Sequence, residues 1–342
     1  MRQDGGESAV PGLVRSDPRG PGISREREGT GWRYRDFDGA EVTDPATLGR
    51  IRELAIPPAW TKVWISPGPL GHIQATGTDS RGRTQYLYHR LWREQRDTQK
   101  FAHMLRFAAA LPALRAATID DLRHHDLDRD QVTAAAVRLI DLGLFRLGDE
   151  RYAELDHHYG AVTLEKRHVT LHRDSATFDY IAKEGKRRTV TVTDLAVLPV
   201  LRALTRSGSE LDALFAFPVA GSWRPLHSHD VSDYIAVRAG GHFTAKEFRT
   251  WNATVLMALL LANAGPVTSD RAAKTAVNAS VRGVAEWLGD TPAVARSSYI
   301  DPRVVRRYQA ARGLDGMPVL PARLPAAAEA EAAVALLLSG AS

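Results

Sequence analysis

Tyr299 lies in a short Ser-rich turn between two predicted helices, where a phenol can project instead of packing into a core. Thr291-Pro292 predicts the start of a short helix that ends near Ser297, and Asp301-Pro302 predicts the start of the next helix. A phenol is a usable nucleophile toward phosphorus when cationic groups surround it and water is kept away. Taken alone, Tyr299 is more typical of an ordinary aromatic residue at a helix end than of a nucleophile. The nucleophile interpretation therefore depends on cations from elsewhere in the chain.

Three basic residues are candidates for these cations. Arg146 lies near the end of a predicted helix, and Lys183 lies on a predicted hairpin turn, from which a flexible amine can reach a ligand. Arg249 lies in the first turn of a long apolar helix and would therefore point from a rigid element. Each alone is typical of a solvated surface charge. Together with Tyr299 they suit phosphoryl transfer to a tyrosine, because two guanidiniums can grip nonbridging oxygens while an amine protonates the departing alkoxide.

The composition indicates an ordinary protein of two domains with a polyanionic partner. Its 342 residues are enough for two cores, and the net charge of +5 suggests a polyanion without proving one. The chain has 0 cysteines, which excludes disulfides and thiolate catalysis. No apolar run approaches the roughly 18 residues of a membrane span, and the N-terminus lacks a hydrophobic signal core. We therefore expect a cytoplasmic protein with no membrane partner.

Metal ligands and nucleotide-binding motifs are not indicated. The histidines of His124-His125, His157-His158 and His227-Ser-His229 have no matching partner set at a recognised metal-ligand spacing. No Walker-type glycine loop followed by Lys-Ser/Thr is present. We therefore expect no metal site and no cofactor.

The sequence pattern divides the chain into four parts. Residues 1–27 are predicted to be a disordered lead-in, 28–90 a β-rich domain, 91–317 a helical catalytic domain and 318–342 an Ala-rich tail that could be helical. The predicted strands of the β-rich domain are Trp32–Tyr34, Val63–Ile65, His72–Gly77 and Gln85–Tyr88, with a helix from Thr43-Asp44-Pro45 to about Leu54.

Strands interrupt the predicted helical domain. Helical spacing over His103–Ala110 and Asp130–Leu144 precedes three predicted strands, and the chain is then helical through Trp287 apart from a predicted loop. The three strands are His168–Leu171, Phe178–Ala182 and Arg188–Val192, and the loop is Phe217–Leu226. The predicted class is α+β: a small N-terminal antiparallel sheet domain with a helix or two, and a larger mostly helical catalytic domain carrying a three-stranded β-hairpin element.

Five blocks, in order, give the chain a specific resemblance to the poxvirus-type (bacterial) type IB DNA topoisomerases. They extend over about Gly31 to Arg312. The blocks are HIQATGTDSRGRTQYLYH, LFRLGDERYAELDHHYGAVTLEKRHVTL, FDYIAKEGK, KEFRTW and GDTPAVARSSY. The resemblance implies that Arg146 and Arg249 are catalytic arginines and Tyr299 the nucleophile. It places the general acid on Lys183, with Lys186 as the less favoured candidate.

The resemblance also implies which residues approach DNA. By it, Gln85, Tyr86 and Tyr88 would contact the duplex, although without it they fit an edge strand with half-buried aromatics equally well. Arg81 in the preceding turn and Lys246 beside Arg249 are further candidates for nucleic-acid binding.

Asp290 departs from the family pattern and is retained as a candidate catalytic residue. The family usually has histidine there, or asparagine in some bacterial members, and both can donate a hydrogen bond to a phosphate oxygen. An ionised aspartate can only accept and would repel the anion. Asp290 is therefore either protonated near the phosphate, or turned away as a loop or helix-capping residue.

The implied reaction is relaxation of supercoiled duplex DNA by transient single-strand cleavage through a 3′-phosphotyrosyl intermediate, without ATP or metal. The resemblance implies a monomer that clamps double-stranded DNA as a C-shaped molecule, and we expect it to be nucleoid-associated. Two alternatives stay open. A tyrosine recombinase shares the chemistry but typically has His-x-x-Arg where this chain has Lys246-x-x-Arg249. The other alternative is a DNA-binding protein with an impaired site, which Asp290 motivates.

Overall fold

Short strands of the N-terminal part pair into one antiparallel sheet in the order β2-β1-β3-β4-β5. The computed structural model describes residues 12–143, 145–150, 153, 157–314, 317 and 328–340. The chain divides into two compact units, Met1–Ala102 and His103–Ser342. The sheet lies in the first unit, and its strands are β1 Ile23–Glu28, β2 Gly31–Arg35, β3 Thr61–Ile65, β4 Ile73–Thr78 and β5 Thr84–Tyr88.

Strand β1 corrects the last part of the predicted disordered lead-in over residues 1–27, because residues 23–27 form a paired strand. Its residues pair with both β2 and β3. Of its six residues only Ile23 is buried, so the segment shows no apolar alternation and the sequence pattern could not predict it. Parts of three predicted elements lie outside the described residues: 1–11 of the lead-in, Leu144 at a predicted helix end, and 318–327 and 341–342 of the tail.

One helix covers the apolar residues of this sheet. Helix α1, Pro45–Glu53, begins after Asp44, whose carboxylate accepts from the Thr47 amide at 2.7 Å. Its buried Ile51 belongs to a core that also contains Ile23, Ile56, Val63, Ile65 and Ala75. The predicted small antiparallel sheet domain is therefore present.

The rest of the chain is mostly helical. Its helices are α2 Arg90–Asp121, which begins in the first unit, α3 Arg129–Gly143, α4 Leu198–Arg206, α5 Ser228–Arg238, α6 Ala245–Ala264, α7 Asp270–Leu288, α8 Pro292–Ser298, α9 Pro302–Ala311 and α10 Ala328–Ser339. Most residues of α6 are buried, which marks it as the central helix of the second unit. Among the helices of the described segments, none has both the length and the apolarity that crossing a bilayer requires.

Two small antiparallel sheets lie in the described part of the second unit. Strands β6 Val169–Leu171, β7 Ala176–Ala182 and β8 Lys186–Val192 form the predicted three-stranded element, in the order β6-β7-β8. The predicted loop Phe217–Leu226 is instead largely a hairpin of β9 Ala216–Val219 and β10 Ser222–Pro225. Each of these two strands contains a proline, a residue that disfavours strand formation because it lacks a backbone N–H. Pairing between the two strands outweighs this local preference. The protein is α+β, as predicted.

The Ala-rich C-terminal segment contains a packed helix. Helix α10 buries Ala330, Val334 and Leu338. Its Glu331 accepts from the Arg115 guanidinium at 2.7 and 3.0 Å, and Asp141 accepts from the same guanidinium at 2.8 and 2.9 Å. Burial opposes the charge of Arg115, but these two carboxylates outweigh it and raise the pKa of the guanidinium. Residues 328–339 are thus attached to the helical core by charge as well as by apolar contact.

We expect Glu331→Gln to lower the free energy of unfolding by about 1–3 kcal/mol, because it removes the charge from a bidentate, mostly buried ion pair. Urea denaturation measures the change. Glu329→Gln is the matched control, since residue 329 lies on the same helix but is exposed, and it should leave stability nearly unchanged. Equal stability of the two variants would contradict a structural role for the Arg115–Glu331 contact.

Candidate active site

Arg249 projects from the first turns of the central helix. Helix α6 begins with a capping box in which the Thr244 hydroxyl accepts from the Lys246 amide and Glu247 accepts from the Thr244 amide at 2.7 Å. This closed helix start gives Arg249 a rigid base, and its side chain is only 4% exposed. The guanidinium donates to the Leu288 carbonyl at 3.0 Å and to Asp290 Oδ2 at 2.8 Å.

Arg146 is positioned by a close approach of two glycines. It lies in the segment after α3, where its carbonyl accepts from the Ala161 amide at 2.7 Å. Gly148 has a φ of 97°, and a Cβ placed on Gly160 would lie 2.5 Å from the Gly148 nitrogen. Only glycine fits at either position, so this contact specifies the backbone path that carries Arg146. The Arg146 guanidinium donates to Asp290 Oδ1 at 2.6 Å.

Asp290 lies between these two arginines. Helix α7 ends at Gly289, whose left-handed φ of 66° allows the Asp290 amide to donate to the Ala285 carbonyl at 2.9 Å. The Asp290 carboxylate is 9% exposed, and its two oxygens accept from Arg146 and Arg249. It is not the N-cap of α8: that residue is Thr291, whose side chain accepts from the Val294 amide. The Asp290 side chain thus faces Arg146 and Arg249 from the loop between α7 and α8.

Tyr299 ends α8 at the predicted joint between two helices. The Arg249 Cζ atom lies 5.1 Å from the centroid of its half-buried ring. Thr254 of α6 supports the backbone of this turn, because its hydroxyl donates to the Tyr299 carbonyl at 3.2 Å and accepts from the Asp301 amide at 3.1 Å. One helix therefore positions both the phenol and the guanidinium beside it.

A cavity of about 200 Å³ brings the hairpin lysines to the same place. Lys183 lies in the short turn Lys183–Gly185 between β7 and β8, and Lys186 begins β8. Both lysines line the cavity together with Arg146 and Asp290. The predicted candidates Arg146, Lys183, Arg249, Asp290 and Tyr299 thus converge on one region of the second unit. Its cations and phenol can bind an oxyanion and attack phosphorus.

Comparison with known families gives two matches along the chain. Residues 89–312 match the family described as "Eukaryotic DNA topoisomerase I, catalytic core". Residues 31–79 match the family described as "Bacterial DNA topoisomerase IB, N-terminal domain". The chain belongs to the type IB DNA topoisomerase family.

Individual relatives support the same assignment. The chain is 29% identical over 294 residues to DNA topoisomerase 1B of Acanthamoeba polyphaga mimivirus, covering 84% of this chain and 88% of the relative. It is 19% identical over 242 residues to DNA topoisomerase 1B of Vaccinia virus (strain Copenhagen), covering 70% and 73%. A solved structure of the XerH site-specific recombinase is 16% identical with a TM-score of 0.37, covering 57% of this chain and 50% of that one. This structural similarity is too weak to support any inference about the chain.

Arg188 is a further cation of the candidate site, and the sequence analysis did not identify it. It lies on β8, lines the cavity and donates to the carbonyls of Leu288 at 2.7 Å and Trp287 at 3.2 Å. Burial, with repulsion from Arg249 and Arg146, lowers its pKa from the usual value. Arg188 therefore supports the C-terminal end of α7, which carries Asp290. The alternation of side chains along β8 could have identified Arg188 as an inward-facing cation, because Arg188 shares a strand face with Val190 and Val192.

The candidate DNA-contacting residues of the first unit occupy the edge strand β5 and the turn before it. Tyr86 and Tyr88 are 46% and 37% exposed, which fits both DNA contact and an edge strand with half-buried aromatics, and their rings stack with centroids 6.0 Å apart. Gln85 instead donates to Asp79, and hydrogen bonds from Arg83 lower the pKa of Asp79 to about 2. Arg81 is exposed in the turn, and in the second unit Lys246 is exposed on the first turn of α6.

Proposed function

We propose that this protein relaxes supercoiled duplex DNA by cutting one strand through Tyr299 and resealing it. The phenolic oxygen loses its proton to water as it attacks a backbone phosphorus and forms a 3′-phosphotyrosyl ester, while the bond from phosphorus to the 5′ oxygen breaks. The freed strand end rotates about the intact strand, and its 5′-hydroxyl then attacks the phosphotyrosine to restore the phosphodiester. The observation that supports this proposal is that Arg146 and Arg249 both donate to one carboxylate, Asp290, and that the Arg249 guanidinium lies 5.1 Å from the Tyr299 ring.

Each side chain has a role that follows from its chemistry. Arg146 and Arg249 hold the two nonbridging oxygens and stabilise the charge that develops on them during the displacement. The departing 5′ oxygen needs a proton, and Lys183 supplies it from the hairpin turn, with Lys186 as the alternative donor. Because both lysines line the cavity, their variants have to be compared to decide between them.

The proposed cycle needs neither ATP nor a metal ion. One phosphoester is exchanged for another of similar energy at each step, so no nucleotide has to be hydrolysed. The guanidiniums and the amine supply the positive charge that a metal ion would otherwise bring to the phosphate.

The duplex is the proposed partner of both units. The exposed rings of Tyr86 and Tyr88 and the charges of Arg81 and Lys246 would contact it, most of them through sugar and phosphate groups. A monomeric state and a cytoplasmic, nucleoid-associated location stay predictions.

A second candidate function is that of a DNA-binding protein with an impaired catalytic site. One observation supports it: the Asp290 carboxylate pairs with both arginines and neutralises their charge.

Incubation of supercoiled plasmid with catalytic amounts of protein, without ATP and with excess EDTA, separates these functions. We expect a ladder of relaxed topoisomers. A DNA-binding protein with an impaired site would only retard the plasmid, and a recombinase would need paired target sites. Unchanged superhelicity at equimolar protein would overturn the proposed function.

A further inference from the structure

Two arginines that come from different elements share a single, nearly buried carboxylate. Arg146 follows α3 and Arg249 lies on α6, yet each donates to a different oxygen of Asp290, at 2.6 and 2.8 Å. Ion pairs of this geometry are strong because both partners are charged and little water screens them. The two guanidiniums proposed to bind phosphate are therefore paired with a carboxylate of the same chain.

A carboxylate held in this way resembles the ligand that the site is proposed to bind. A phosphodiester also presents two oxygens that share one negative charge, and guanidinium groups recognise both anions through the same hydrogen bonds. Asp290 cannot donate to a phosphate oxygen as an ionised group, and its charge would repel a phosphate at the same arginines. Asp290 and a DNA phosphate therefore compete for one position.

We propose that Asp290 is an internal anion that fills the phosphate position in the DNA-free protein and has to leave Arg146 and Arg249 before a DNA phosphate can bind. This inference rests on the proposed roles of the two arginines. It makes Asp290 a positioning residue that keeps the guanidiniums paired and oriented while the site is empty. It also makes displacement of Asp290 part of the free energy of substrate binding.

The surroundings of Asp290 permit this displacement without loss of the local backbone. The Leu288 carbonyl accepts from both Arg188 and Arg249, so the end of α7 stays attached when the carboxylate leaves. The cavity beside it is lined by Lys183, Lys186 and Arg188, and these cations continue to favour an anion.

The test measures binding of inorganic phosphate to the DNA-free protein by isothermal titration. Asp290→Asn removes the charge and keeps the shape, and we expect it to bind phosphate about 10-fold or more tighter than wild type, because a directly competing charge is gone. Asp230→Asn is the matched control: its carboxylate is 7% exposed and pairs with Arg129 at 2.6 Å. We expect this control to bind phosphate as weakly as wild type.

Asp290→His provides a second variant in case the asparagine variant is poorly folded, and thermal melting identifies the variant that is folded. If a folded Asp290 variant binds phosphate no tighter than wild type, the carboxylate does not occupy the phosphate position and the inference is overturned. A purely structural role of Asp290 gives that result, because it affects melting but not the affinity for phosphate.

Single-turnover cleavage of duplex DNA supplies the functional readout. We expect folded Asp290→Asn to cleave faster than wild type, by up to about 10²-fold if the amide also donates to the phosphate. Slower cleavage by this variant would contradict competition between Asp290 and the phosphate. If no variant forms a protein–DNA adduct, the proposed function fails, whereas the phosphate titration still decides the role of Asp290.

Discussion

Tyr299→Phe should abolish plasmid relaxation and the covalent protein–DNA adduct, and it should leave folding nearly intact. The substitution removes only the phenolic oxygen, the atom proposed to attack phosphorus, and retains the ring beside the Arg249 guanidinium. Affinity for duplex DNA should change little, because the phosphate contacts that dominate it remain. The measurement is denaturing electrophoresis of end-labelled DNA after incubation with protein, which detects the phosphotyrosyl link directly.

Tyr308→Phe is the matched control for this experiment. Tyr308 lies on α9, is fully buried and donates its hydroxyl to the Gly265 carbonyl at 3.0 Å. Removal of that hydroxyl should cost about 1 kcal/mol of stability, the ordinary value of one hydrogen bond, and should leave adduct formation in place. An adduct formed by the Tyr299→Phe protein would show that the nucleophile is another residue.

Replacement of either site arginine by alanine should slow single-turnover cleavage by about 10³-fold or more, as for transition-state arginines in other phosphoryl transfers. The physical reason is that charge on the nonbridging phosphate oxygens has to be stabilised as the bonds to phosphorus change. Arg146→Ala is the cleaner test, because its side chain is 27% exposed whereas that of Arg249 is 4% exposed. Arg249→Ala should also destabilise the protein, since Leu288 and Asp290 both lose a donor.

Arg129→Ala is the control for general loss of positive charge. Arg129 is half exposed and pairs with Asp230 on α5. The Arg129→Ala substitution should change the cleavage rate by far less than replacement of either site arginine. The DNA-binding affinity of each variant is measured in parallel at one salt concentration. Cleavage by Arg146→Ala at close to the wild-type rate would exclude this guanidinium from the transition state.

Local residue types were enough to predict much of the molecule. Helix-start pairs at Thr291-Pro292 and Asp301-Pro302 predicted the joint that carries Tyr299, because capping depends on only a few neighbouring residues. The strand-type residues on either side of the Lys183–Lys186 turn predicted the β7–β8 hairpin that presents Lys183. Apolar residues at helical spacing predicted α3. The fold class and the family follow from such patterns and from motifs in order.

Only the tertiary structure determined which charged groups of the site pair with each other. Asp290 is 144 residues from Arg146 and 41 from Arg249 in sequence, and no local pattern indicates that one carboxylate pairs with both. The same holds for the support that Arg188 gives to α7 and for the attachment of α10 through Arg115. Strand β1 carries one buried residue and β9–β10 contains prolines, so both depend on partners distant in sequence. Local chemistry selected the reactive side chains, whereas packing over long sequence distances determined which charges face each other.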